Sequence, residues 1–206
     1  MHIFITGTDT NIGKTITCAW LCMHSNYDYF KPIQTGLEEG TDSQTIEELS
    51  PKTKIFTEAY CLPRPLSPHL SARLANQSIE LNQIKLPQSK NLIIEGAGGL
   101  LVPLNGHQLM IDAIKLFSCG VILVCSSKLG TINHSLLSIE ALRRRDIPIL
   151  GVIVNGPANP ENSQAICHYG KVSLLAELPY FTQNLPMQLQ QLPLNASLTQ
   201  LLGTNT

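Results

Sequence analysis

The run Gly7-Thr8-Asp9-Thr10-Asn11-Ile12-Gly13-Lys14-Thr15 follows the apolar stretch Ile3-Phe4-Ile5 and opens an amphipathic segment. A glycine-bounded turn between a buried strand and a helix start aims successive backbone N–H groups and the positive end of the helix at one point, which suits an anion. In that arrangement Lys14 reaches the β and γ phosphates of a nucleotide, and the Thr15 hydroxyl binds Mg²⁺. The general form of such loops has four residues between its glycines. Here five separate Gly7 from Gly13, so Thr8 stands at the usual first glycine. A chance Gly-Lys-Thr at a helix start is the competing explanation, but it leaves the preceding strand unaccounted for.

The rest of the chain has the rhythm such a loop requires. Apolar runs predict strands at 2–6, 27–31, 91–95, 121–125, 149–154 and 174–178. The runs Leu92-Ile93-Ile94 and Val121-Ile122-Leu123-Val124 lack polar alternation, as strands covered on both faces do. Helical spacing predicts helices at 13–24, 41–49, about 69–76, 108–118, 132–144 and 160–169. Strand then helix, repeated, predicts an α/β fold of the P-loop NTPase type. It would be one domain over residues 1–206, a mostly parallel sheet with helices on both faces. The segment 51–69, with four prolines, is expected to be an ordered loop passing over the sheet, and 181–206 is the least legible stretch.

Net charge is -1, and the one basic run, Arg143-Arg144-Arg145, has the form of a polar helix end. Neither nucleic acid nor an anionic membrane is therefore an expected partner. No apolar stretch approaches the roughly 20 residues of a membrane span. Met1 to Ile5 carries no basic leader and reads as a strand, and the six cysteines include no C-x-x-C pair. Cys18 and Cys22, one helical turn apart, offer two metal ligands in principle; small apolar residues in a reducing compartment explain them better. A soluble cytoplasmic protein is the expectation.

Ligands of such sheets sit at the carboxyl ends of the strands. Lys31, in Phe30-Lys31-Pro32-Ile33-Gln34-Thr35-Gly36, ends the second predicted strand and points into the crevice of the phosphate loop, unless it is a solvated surface lysine. Two lysines converging near phosphate would neutralise a reacting anion. The run Leu92-Ile93-Ile94-Glu95-Gly96-Ala97-Gly98-Gly99 ends an apolar strand in one carboxylate, the form in which an acid orders Mg²⁺ opposite the loop hydroxyl. Asp42 is a second candidate magnesium ligand, or a plain acid at a helix N-terminus. Ser126 to His134 again runs from strand to helix; its free N–H groups suit a carboxylate, and capping by Thr131 or Asn133 is the alternative. Asn155 either pairs with a nucleotide base through its amide or makes an Asn-Gly turn with Gly156.

Gly7 through Thr15, Lys31-Pro32, Ser67-Pro68-His69, Glu95 to Gly99 and Lys128-Leu129-Gly130-Thr131-Ile132-Asn133-His134 stand in the order found in dethiobiotin synthetases, and the chain resembles that family over about residues 3 to 180. The five-residue glycine spacing is the family's own form. The resemblance implies an ATP-dependent cyclo-ligase of biotin biosynthesis. One amine of 7,8-diaminononanoate takes up CO₂ as a carbamate, ATP phosphorylates it to a carbamic-phosphoric anhydride, and the neighbouring amine closes the ureido ring. The resemblance further implies Thr10, Lys14 and Lys31 as catalytic residues and Thr15, Asp42 and Glu95 as holders of Mg²⁺. Asn11, Ile12, Gly13, Gly98 and Asn155 are implied as ligand-binding positions. Thr35 lies where the family contacts the diamine or carbamate. The resemblance also implies that backbone around Gly130 to Asn133, supplied by the partner subunit, receives the substrate carboxylate, and hence a homodimer. Asn11 departs from the acid or glycine common at its position, and the match fades beyond Pro179. Partitioning and cell-division ATPases of the same superfamily carry an extra lysine near the start of the loop, where this chain has Thr8-Asp9-Thr10. Related amidotransferase-type ligases usually add a glutaminase domain, for which this chain leaves no room.

Overall fold

The computed structural model describes residues 1–181 and 184–204. Its strands are β1 (His2–Gly7), β2 (Asp28–Phe30), β3 (Ile33–Thr35), β4 (Ile55–Phe56), β5 (Tyr60–Leu62), β6 (Leu92–Gly99), β7 (Gly120–Ser126), β8 (Ile149–Asn155) and β9 (Leu174–Leu178). Its helices are α1 (Lys14–Met23), α2 (Asp42–Leu49), α3 (Pro68–Leu74), α4 (Met110–Phe117), α5 (Thr131–Arg143), α6 (Pro160–Gly170), α7 (Leu185–Gln191) and α8 (Ala196–Leu202).

Seven strands form one sheet in the order β4-β2-β6-β1-β7-β8-β9, and all its pairings are parallel. Side-chain alternation along β1 sorts the layers. Ile3 and Ile5 pack with Cys18 and Leu21 of α1, Ile46 of α2, Leu189 of α7 and Leu198 of α8. Phe4 points the other way, against Ala72 of α3 and Ile111 and Ile114 of α4. Farther along, Leu123 and Val152 pack with Ile139 of α5 and Ile166 of α6. Fully burying each such aliphatic side chain contributes roughly 1.5–3 kcal/mol, enough in sum for the sheet to carry a few buried charges at its edge.

The six predicted strands and six predicted helices all form, with ends shifted by at most two residues except in β6, which runs four residues past the predicted end at 95 to Gly99. The segment 51–69 differs from the expected loop. It contributes the edge strand β4 and the strand β5, which pairs with β3 in a separate two-stranded sheet. Pro51, Pro63, Pro65 and Pro68 flank these pairings without interrupting them, and strands of two or three residues are too short to show a period. The tail forms α7 and α8, fastened by the Trp20 indole N–H to the Leu192 carbonyl at 2.6 Å and by the Asn195 amide to the Leu175 carbonyl at 2.5 Å. No helix among the described residues is long and apolar enough to cross a membrane.

Register brings three strand ends together. Ile5 pairs with Glu95 on one side and with Ile122 on the other, and Phe30 pairs with Ile94. Lys31, the next residue after β2, therefore emerges beside Glu95, and the loop Gly7–Thr15 begins one strand away.

Candidate active site

The loop between β1 and α1 is held by its own backbone and by β7 and β8. Thr8 N–H donates to the Val124 carbonyl at 3.0 Å. Gly13 has φ +88, and a Cβ there would lie 2.5 Å from the Asn155 amide nitrogen. That nitrogen donates to the carbonyls of Ile12 at 2.8 Å and Gly13 at 3.2 Å and to the Thr17 hydroxyl at 3.2 Å. Only glycine meets both demands at position 13, a left-handed backbone and no side chain against Asn155. Lys14 curls back over the loop, donating to the Asp9 carbonyl at 3.0 Å. It is 7% exposed, and burial pushes its ammonium below the usual lysine range although Glu95 pulls the other way.

Next to the loop lies a charged centre. The Lys31 ammonium, itself buried, reaches Asp42 Oδ2 at 2.6 Å and Glu95 Oε1 at 3.1 Å. The Thr15 hydroxyl lies 2.9 Å from Glu95 Oε1 and is also in hydrogen-bond contact with Asp42 Oδ1. The Tyr29 hydroxyl donates to Glu95 Oε2 at 2.8 Å. Glu95 is only 1% exposed, so without these donors its charge would be uncompensated in the sheet. Burial pushes the Lys31 ammonium down, but Glu95 and Asp42 outweigh it and hold the group above its ordinary value. Burial likewise raises the Asp42 carboxyl, and Lys31 with the Thr15 contact overcomes that and holds it low. Burial and Glu95 raise the Tyr29 phenol well above its usual range, so it stays a donor.

The Thr15 hydroxyl has one hydrogen for two carboxylates, so it serves one of them at a time. Three hard oxygen donors thus converge, the kind of set Mg²⁺ takes when phosphate and water complete its shell. Among the described residues no three His, Cys, Asp or Glu side chains cluster as a metal site, so two carboxylates and a hydroxyl are what this centre offers. The chemistry of the donor set fits magnesium.

Two cavities meet across the phosphate loop, both lined by Thr10, Asn11 and Gly13. One, of about 860 Å³, holds Lys14, Thr15, Lys31, Thr35, Asp42, Glu95 and Gly98, with Gln34 and the Pro65–Pro68 turn on its walls. The other, of about 520 Å³, is lined by Ile12, Asn155, Leu178, Pro179 and Tyr180. Twelve of the sequence-predicted site residues — Thr10, Asn11, Ile12, Gly13, Lys14, Thr15, Lys31, Thr35, Asp42, Glu95, Gly98 and Asn155 — therefore line these two adjoining cavities. Gly130 and Asn133 do not. They sit exposed at the start of α5 and line neither cavity. Asn155 is more than an Asn-Gly turn: its amide nitrogen ties down the phosphate loop, while its buried Oδ1 has no partner among the described residues.

Tyr29 and Gln34 belong to the site without carrying any motif. Tyr29 shares its strand face with Lys31, two residues on, which is the one sequence signal for it. Gln34 Oε1 accepts from the Asp42 N–H at 3.2 Å and so fixes the start of α2 against the cavity.

A family model described as an AAA domain matches residues 1–187. The chain is 51% identical to the ATP-dependent dethiobiotin synthetase BioD of Lawsonia intracellularis, over 98% of each chain. It is 49% identical to the protein of the same name from Paramagnetospirillum magneticum, over 85% of this chain and 86% of that one. Among solved structures, the ParA family ATPase from Chlorobium tepidum superposes with a TM-score of 0.56 at 11% identity, covering 98% of this chain and 93% of that one. That likeness reports a shared fold. At 51% identity over 98% of its length, the chain belongs to the family of ATP-dependent dethiobiotin synthetases.

Proposed function

We propose that this chain closes the ureido ring of dethiobiotin from 7,8-diaminononanoate and CO₂, consuming ATP and releasing ADP and phosphate, and that residues 1–206 act as one synthetase unit. It is an ATP-dependent ligase of biotin biosynthesis. The observation that carries the residue assignment is the meeting of Lys14, Lys31, Thr15, Asp42 and Glu95 in one cavity, joined across the phosphate loop to a second.

The smaller cavity takes the nucleoside and the larger takes the diamine and carbamate, with the triphosphate tail passing along the loop between them. Asn155 Oδ1, an acceptor with no partner, suits the exocyclic amine of adenine. A carbamate is weakly nucleophilic and short-lived, so its oxygen must be held in line with the γ-phosphorus and away from bulk water. Lys14 and Lys31 provide positive charge on either side of the transferred phosphoryl group, and Thr10 lies on the rim shared by both cavities. Thr15, Asp42 and Glu95 would hold magnesium, which would supply positive charge to offset that of the β and γ phosphates. The second amine then attacks the carbonyl carbon of the anhydride, the carbon–oxygen bond to phosphorus-bound oxygen breaks, and phosphate leaves with that electron pair. The amine's proton passes to solvent.

The substrate carboxylate is taken by backbone from Gly130 to Asn133 of a second copy, making a homodimer. Leu101 and Leu137 support this: 56% and 57% exposed, they line one open recess, apolar surface that a partner would cover. A switch ATPase is the other function this fold can host, but Thr8-Asp9-Thr10 offers no lysine to reach across a dimer. The test is to supply ATP, Mg²⁺, bicarbonate and the diamine and look for the cyclic urea by mass spectrometry. ATP should be consumed only when both co-substrates are present; rapid hydrolysis of ATP alone would contradict the reading.

A further inference from the structure

The reaction cavity has walls of opposite charge, and its carboxylates are not equivalent. Asp42 and Glu95 are committed: Lys31 lies between them and the Thr15 hydroxyl touches both. Glu39 lines the same cavity and has no hydrogen bond or ion pair among the described residues. It also lines a neighbouring recess of about 280 Å³ with Gln34, Thr35 and Thr41, so its carboxylate stands at the cavity mouth and faces water.

The loop that carries Glu39 is fixed at both ends. Gly36 and Leu37 donate backbone N–H groups to the Leu62 and Pro63 carbonyls at 2.9 and 3.2 Å. Gly36 has φ +78, and a Cβ there would meet Pro65 at 2.9 Å. At the other end Thr41 and Gln44 form a reciprocal cap on α2. A short connection tied in this way holds its acid over the side of the cavity formed by Thr35 and Pro65.

We infer that Glu39 is a substrate-binding residue that receives the ammonium group of a vicinal diamine, which gives up its extra proton to solvent at the cavity mouth before that amine attacks. The inference rests on the proposed function and adds to it a residue that the family motifs do not include. Two amines on adjacent carbons cannot both stay charged easily, because like charges that close raise the cost of the second proton. Near neutral pH such a molecule enters with one ammonium and one free amine. The free amine must take up CO₂ beside Lys31. The ammonium would be repelled there by Lys14 and Lys31, and it needs a carboxylate not already engaged. Among the carboxylates lining the cavity, only Glu39 meets that condition. It would also favour diamines over monoamines of the same length, because a neutral group at that end leaves its charge unmatched.

The experiment compares the wild-type enzyme with Glu39→Gln and Glu39→Asp, varying diamine at saturating ATP and at two salt concentrations. For a charge pair at a cavity mouth, Glu39→Gln should raise KM for the diamine about three- to tenfold, with kcat and KM for ATP within about twofold. The wild-type KM should rise with salt while that of Glu39→Gln changes little, and Glu39→Asp should recover part of the loss. A diamine KM unchanged in Glu39→Gln, or an equal salt response in both proteins, would overturn the inference. So would a fall in kcat with KM unaltered. If the wild-type enzyme made no cyclic urea, the underlying functional reading would fail instead, and the two failures are distinguishable.

Discussion

Lys14 and Lys31 are both buried, yet their surroundings drive their charges in opposite directions. Lys31 is clasped by two carboxylates, whereas Lys14 has one carbonyl contact at 3.0 Å and pays for desolvation. Lys14 is thus the cation most in need of an anion, and a phosphate tail answers that need. A pH dependence follows with a definite sign. Phosphate binds the protonated lysine, so affinity is full below the Lys14 value of the free protein and falls as pH rises through it. Calorimetric titration with ADP should show affinity declining at a pH below the ordinary lysine value of 10.5, while Lys31, held higher, is still charged. Lys31 is assigned to the reacting group instead of to nucleotide binding. Lys31→Gln should therefore cut turnover by roughly 10²-fold while ADP affinity stays within about threefold. Near-normal turnover would remove Lys31 from the chemistry.

At the level of elements, the phosphate loop is a β1–α1 turn buttressed from β8. The Asn155 amide nitrogen donates to the Ile12 and Gly13 carbonyls, so replacing that donor with an acceptor sets two oxygens against a carboxylate. Asn155→Asp should lower the melting temperature by a few degrees, at about 1–3 kcal/mol for the lost and now opposed contacts, and weaken ADP binding about tenfold. Thermal denaturation and calorimetry check both. How far these elements were legible depends on their length. The uninterrupted apolar runs of β6, β7 and β8 announce strands covered on both faces, and the Gly13-Lys14-Thr15 turn fixes the start of α1. The pairing of β3 with β5 and the edge strand β4 were not legible, because two or three residues define no period. The clustering of Lys14, Thr15 and Glu95 in one cavity was legible from the phosphate-loop motif and the acid that ends an apolar run. It was illegible for Tyr29 and Gln34, whose roles come from register and from the turn into α2 and from no motif.

At the level of the molecule, the parallel sheet does the assembling. The pairings of Ile5 with Glu95 and of Phe30 with Ile94 bring the phosphate loop, the acid and Lys31 to one edge, though 64 residues separate Lys31 from Glu95 in sequence. Two cavities then share one loop, so under the proposed function a nucleotide in the first would present its last phosphate to a substrate in the second. The tail walls the smaller cavity through Pro179 and Tyr180, and α7 and α8 anchor it beneath α1 and β9. The central claim is that the two cavities form one reaction path, in which the carbamate oxygen attacks phosphorus and is later lost with it. Oxygen bookkeeping tests this directly. With ¹⁸O-labelled CO₂ and a single turnover, mass spectrometry of the released phosphate should find one labelled oxygen per molecule that received doubly labelled CO₂. Phosphate free of label, formed alongside the cyclic urea, would contradict the account.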